Sequence, residues 1–372
     1  MTALSAFPRF PSRLGAAVFA LVFAVAAAPA QNAAPKAASP ASIYANNPLL
    51  KGKHFTAAKR PVKARLWTDD DKILATVLLG RADGDVVYAK ADSPGKLEGV
   101  LPLAKIRRAA FEAAPDLDAL VKARRERDDP AMCRVLAAAY GTTYPFLDLP
   151  GNNAVEPVAT LATTMMQVAA KTRREADNDE ARARALRQYE SAGEVLASLA
   201  EARNWSPEGQ IAGIKLCQCL LARGKVEDAA KRLDEIPEPM AGDAAYGPYW
   251  LTRGLLAERG GDTREALRCA VLSVDFDNKN GESFPAALLL SARSYGTLGE
   301  WYRARDVYFE VARLFPNTDA GDDACAALRS ILDGGKTAEP EADQAVENAF
   351  FGVSEDMNKL ARDFLNKKDT PK

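Results

Sequence analysis

The sequence predicts a multi-domain α+β protein: a small, strongly bent β-barrel followed by an all-α helical repeat solenoid. Three observations carry that expectation. Residues 62–106 hold several short β-type runs separated by turn residues. From about Arg107 onward the chain changes to alanine-rich stretches of helical period. Within them "GKVEDAAKRL" at 224, "GDTREALRCA" at 261 and "GEWYRARDVY" at 299 recur every 37–38 residues, the mark of a stacked repeat.

The first thirty residues read as a signal peptide. Arg9 and Arg13 precede the uncharged stretch Leu14–Ala28, and Ala28-Pro29-Ala30 sets small residues at the spacing a signal peptidase reads. The apolar run is short for a bilayer span. Cleavage after Ala30 removes two arginines, taking the formal net charge from −1 to −3. The mature chain is then expected in the periplasm or outside the cell, a retained anchor being the alternative. Residues 31–60 are rich in Ala, Pro, Ser, Asn and Lys without periodicity, and read as a disordered linker.

Residues 61–113 are assigned to the barrel. Lys63–Thr68, Ile73–Leu79, Asp85–Ala89 and Leu97–Leu103 read as strands, with hairpin turns at Asp83-Gly84 and Pro94-Gly95. The alanine-rich stretch 105–114 reads as the first helix. The order Arg65-x-Trp67-Thr68-Asp69, Ala75-Thr76-Val77, Gly84-Asp85-Val86-Val87, Gly95-Lys96 and Val100-x-Pro102-Leu103 resembles Sla1 homology domain 1, which implies an SH3-like barrel. The chain departs from that pattern at Asp70-Asp71-Lys72, where a glycine turn is usual. Only the fold is carried over, because the domain's peptide-binding role belongs to another setting.

A helical connector follows over 114–155, with helices expected at 116–127 and 130–140 and a loop at Pro150–Asn153. The solenoid is assigned to 156–335, beginning with helices at 156–176 and 179–203. In the three repeats, Gly224, Gly261 and Gly299 supply the turn inside a helical pair. Ala229, Ala266 and Ala304 follow five residues later, and Cys217, Gly254 and Ala292 stand seven before. Small residues on both sides let the two helices approach. In the third repeat Trp301, Ala304, Tyr308, Val311 and Phe315 form one stripe. These positions resemble the tetratricopeptide repeat family, most fully in the third copy at Leu288, Ala292, Tyr295, Gly299, Ala304, Tyr308 and Pro316. Residues 336–372 close the chain with a mobile acidic segment and an amphipathic helix striped by Phe350, Val353, Met357, Leu360 and Phe364. This helix is expected to dock in cis, either as a cap beyond Ile331 or in the groove near Leu251, Leu255 and Leu289.

Composition excludes several chemistries. The single histidine, His54, rules out a histidine-built zinc site and leaves no second histidine for a triad. A near-neutral charge gives no field for nucleic acid. The five cysteines, at 133, 217, 219, 269 and 325, lack metal-type spacing. They read as small buried hydrophobes, with a Cys217–Cys269 pair left open. Asp69-Asp70-Asp71 reads as a solvated turn, and Trp67 as barrel core or a stacking residue. No cofactor or metal is expected. The tetratricopeptide resemblance implies a concave peptide-binding face, here Ile211, Ile214, Gln218, Leu251, Leu255, Glu258, Arg259, Leu289 and Arg293, several of which read equally as inter-repeat core. The function expected is that of an exported, non-enzymatic scaffold or adaptor of the bacterial envelope with protein or peptide partners. The alternatives are a hydrolase or glycan-processing accessory with its site at the barrel–helix junction, and a structural spacer. N-terminal sequencing from the native host should find Gln31 first, whereas an intact Met1 on a membrane-extracted species would establish an anchor.

Overall fold

The computed structural model describes residues 47–92, 96–203, 206–276, 283–334 and 357–369. The signal peptide, the first part of the linker, the Pro94-Gly95 turn, the acidic segment 336–347, and Phe350 and Val353 lie outside the described residues.

Five strands, β1 (Phe55–Thr68), β2 (Ile73–Ala82), β3 (Asp85–Lys90), β4 (Leu97–Leu101) and β5 (Ile106–Phe111), form one antiparallel sheet in the order β4-β3-β2-β1-β5. Alternation shapes β1: Val62, Ala64, Leu66 and Thr68 are buried while Lys63 and Arg65 face water. The β1–β2 register shifts between Ala57 and Val62. Gly80 permits the approach there, since a Cβ on it would stand 2.2 Å from the Thr56 carbonyl oxygen. Asp83 and Gly84 take φ 50° and 91°, the two left-handed positions of a tight hairpin turn. Asp71 takes φ 58°, a left-handed conformation, in the turn where the resembled pattern usually carries glycine.

Two expectations are corrected. β1 begins at Phe55 and Pro48–Leu50 forms a short 3₁₀ turn, so the end of the segment read as linker belongs to the sheet. Leu50 is buried against a cluster with Val77 and Leu79, which anchors this entry. Residues 105–114 are not a helix. Ala109 and Ala110 sit in β5, which pairs with β1, buries Ile106, Ala109 and Phe111, and so lets tertiary pairing override alanine's helical preference.

Helices α1 (Leu117–Glu126) and α2 (Asp129–Tyr140) form the connector, each N-capped by an aspartate side chain, Asp116 and Asp128. α3 (Val155–Arg174) and α4 (Asp179–Ala202) make the first pair of the solenoid. The three repeats are α5 (Pro207–Ala222) with α6 (Val226–Asp234), α7 (Tyr246–Gly260) with α8 (Thr263–Phe276), and α9 (Ser283–Thr297) with α10 (Trp301–Leu314). α11 (Asp319–Asp333) and α12 (Met357–Asp369) complete the array.

The turn inside each repeat is built identically. Gly224, Gly261 and Gly299 take φ 77°, 81° and 83°. The next residue's N–H donates to the carbonyl five back: Lys225 to Leu220, Asp262 to Ala257 and Glu300 to Tyr295, each at 2.9 Å. This is the Schellman closure of a helix C-terminus. Ala229, Ala266 and Ala304 are all fully buried, as are Cys217 and Ala292 opposite. Gly254 is the tightest point. A Cβ there would lie 3.2 Å from the Ala266 carbonyl oxygen and 2.7 Å from Leu290 Cδ2 of the next repeat.

The stripe of α10 packs as expected, and Arg305, Phe309 and Ala312 bury a second face because the helix is covered on both sides by α9 and α11. Helix α12 docks as the cap, not in the groove. Phe364 meets Phe309 edge-on with ring centroids 5.5 Å apart, and Arg362 donates to the Leu332 carbonyl at 3.1 Å. Its stripe is rotated from the one expected: Leu360 stays exposed, and Ala361 and Leu365 are buried instead.

Sheet and helices share one core, in which Leu66 and Leu78 join Phe146, Leu161 and Leu199. The Asn153 side chain clamps β5, accepting from the Phe111 N–H at 2.8 Å and donating to its carbonyl at 3.0 Å. That occupies part of an open sheet edge. All five cysteines are free, so Cys217 and Cys269 do not pair.

Gly254→Ala should destabilise by about 1–3 kcal/mol through overpacking, although alanine is the better helix former by about 1 kcal/mol. Gly260→Ala, where a Cβ meets open space, should not destabilise. Urea denaturation of the two variants decides this, and equal stabilities would disprove the close contact at Gly254.

Candidate protein-binding cavity

Residues of α3, α5, α7 and α9 line an open cavity of about 330 Å³, at the low end of ligand-sized pockets. Thr160, Thr163, Thr164 and Gln167 recur at helical spacing along α3 and form one wall. Glu156 and Ala159 extend that wall, Ile211 and Lys215 of α5 form the second, and Pro248, Ser283 and Met132 line the rest. The Lys215 ammonium donates to Thr163 Oγ1 at 2.7 Å. Thr164 turns inward on its own helix, donating to the Thr160 carbonyl at 2.8 Å. Hydroxyls, an amide, the Lys215 ammonium and the Glu156 carboxylate therefore line a space walled elsewhere by apolar groups. This is chemistry suited to holding a peptide main chain.

The nine residues expected on the concave face fare differently. Ile211 lines the cavity. Ile214 and Leu251 are buried between helices, so they serve the inter-repeat core and are unavailable to a partner. Leu255 packs partly against the same cores, and Leu289 partly against that of the third repeat and α11. Gln218 donates to Thr252 Oγ1 at 2.9 Å. Glu258 and Arg293 form a two-pronged ion pair at 2.7 and 3.2 Å. Gln218, Glu258 and Arg293 thus tie neighbouring inner helices together, while Arg259 is exposed at the end of α7. The face of α3 lies outside the three glycine-marked repeats, so their spacing does not reach it. Its signal was present in the threonine–glutamine spacing.

Other candidates are accounted for by structure. Asp70 pairs with Lys72 at 2.5 Å and Asp71 with Arg107 at 2.8 Å. Trp67 is half-buried under the Arg108 guanidinium, 5.1 Å from its ring centroid. Burial pushes the thiols of Cys133, Cys219 and Cys269 up to about 12, and that of Cys217 to about 11. None of these four is a thiolate at neutral pH. Where the sheet meets the helices, Arg81 pairs with Asp148, donates to the Pro145 carbonyl at 3.1 Å and lies over the Phe146 ring. Burial raises the Asp148 carboxyl while Arg81 opposes the rise. Among the described residues no helix is long and apolar enough to cross a membrane.

Residues 183–247, from within α4 to the first turn of α7, match the tetratricopeptide repeat family model. The match falls on the first repeat and the helix before it, upstream of the third copy where the resemblance was read most fully. No curated protein matches the sequence. The chain is thus an antiparallel sheet joined to a helical repeat array that includes a tetratricopeptide-type segment.

Proposed function

We propose that this protein is an exported, non-enzymatic scaffold of the bacterial cell envelope that holds a protein partner by an extended segment in the α3–α9 cavity. The observation that carries this reading is the polar wall of α3 facing Lys215. An extended peptide has an unpaired N–H and C=O at nearly every residue, and threonine hydroxyls, Gln167 and an ammonium satisfy both kinds. The tetratricopeptide-type segment is in keeping with protein partners. Export rests on Arg9, Arg13 and the Ala28-Pro29-Ala30 site. The sheet, read as an SH3-like barrel of the Sla1 homology type, acts here as a foundation, since its core is continuous with the helices.

The rival site at the sheet–helix junction gains no support from Arg81 and Asp148. Asp148 is engaged in its ion pair with Arg81, which lies over the Phe146 ring and also feels the charge of Asp85.

Photo-crosslinking amino acids placed at Thr160 and Lys215 should capture the same partner in native envelopes. Glu227, exposed on α6, should capture it at least several-fold less. Equal or stronger capture from Glu227 would assign the binding to the outer surface and overturn the proposal.

A further inference from the structure

The inner helices are joined by a chain of polar links, and the chain closes on itself. Lys215 links α5 to α3, Gln218 links α5 to α7, and Glu258 with Arg293 links α7 to α9. Arg293 also acts electrostatically on Asp323 of α11. From there the circuit returns to its start. Arg174, at the end of α3, reaches Asp319 at 2.9 Å and Asp323 at 3.4 Å in the first turns of α11. Beside it Arg127, just after α1, donates to the Asn317 carbonyl at 2.5 Å across 190 residues of sequence.

This last step differs in kind from the others. Glycine turns and buried small residues hold consecutive helices, but α3 and α11 are separated by three complete repeats. Their junction is made by long arginine side chains and half-exposed carboxylates: Arg174 is 36% exposed, Asp319 57% and Asp323 49%. Exposed ion pairs of this type are individually weak and screened by salt. The same turn of α11 is held from its other side, where Lys368 of α12 donates to Asp322 at 3.0 Å.

We propose that Arg127 and Arg174 form a clasp that shuts the superhelix on its own first pair, and that opening it admits a partner segment to the inner cavity. The functional half of this inference rests on the cavity being the binding site. The clasp itself does not. An open superhelix offers the inner face to a chain from the side, whereas a closed one restricts entry to its ends.

The test uses the full mature chain carrying Cys133→Ser, with spin labels on cysteines introduced at Glu180 in the first turn of α4 and Ala326 on α11, both exposed. Electron–electron distance measurements at low salt should give one narrow distribution. Arg174→Glu should lengthen and broaden it, as should 1 M sodium chloride, where the screening length falls to about 3 Å. Combining Arg174→Glu with Asp319→Arg and Asp323→Arg should restore the short distance, which a merely damaged fold could not do. Unchanged distances in Arg174→Glu, or no recovery in the reversed pair, would overturn the clasp whatever happens to binding. Partner capture at Thr160 is read on the same variants. Faster capture from Arg174→Glu supports gating. A clasp that opens without changing capture overturns the gate and the cavity assignment, leaving the ionic closure alone.

Discussion

The structure depends on one constraint: within each repeat two helices must approach until their backbones nearly touch. A buried alanine on one helix faces a cysteine, glycine or alanine on the other, and a methyl group at Gly254 would crowd the Ala266 carbonyl of its partner helix at 3.2 Å and collide with Leu290 of the next repeat. Helices so closely spaced leave no room for large side chains between them. The bulky residues move above and below the contact, where Tyr246, Tyr249 and Trp250 pack against the first repeat and Leu290 reaches in from the third. Stacking follows, because those residues would otherwise face water. The orientation of the inner faces, and with it the cavity, is a consequence of where the small residues fall.

Polar groups do a different task in this array. Burial sets the distance between helices, and the links from Thr163 to Arg293 set which residues face each other along the inner surface. Each link is worth little alone. Their arrangement nonetheless leaves a polar seam along the inner face, so the positions that set register are also the ones on which the proposed binding rests. The sheet adds rigidity at one end through Asn153 and the shared core, and α12 covers the other.

Much of this was legible because its signals are local. A left-handed turn demands glycine, and a close helix contact demands a small residue at fixed offset, so Gly224, Gly261 and Gly299 with their alanines announced the repeats. The hairpin at Asp83-Gly84 was readable for the same reason. Failures arose where position in space, not neighbourhood in sequence, decided the outcome. Ala109 and Ala110 favour helix, yet β1 was present to pair with them. Leu360 sits on the best stripe by spacing, but the surface of α10 and α11 took Ala361 and Leu365. Ile214 and Leu251 point along inner helices and are still core, since whether an apolar residue meets a partner or a neighbouring helix depends on the packing angle. The reach of Arg174 to α11 required three-dimensional knowledge altogether.

The central claim is that the small-residue contacts are the structural keystones of the array. Native-state hydrogen exchange on the mature chain tests it most directly. The account predicts that amides flanking Ala229, Ala266 and Ala304 exchange together, only through the largest unfolding event, and later than those of α12. Separate, early exchange at these three positions, while the large apolar clusters stay protected, would contradict it.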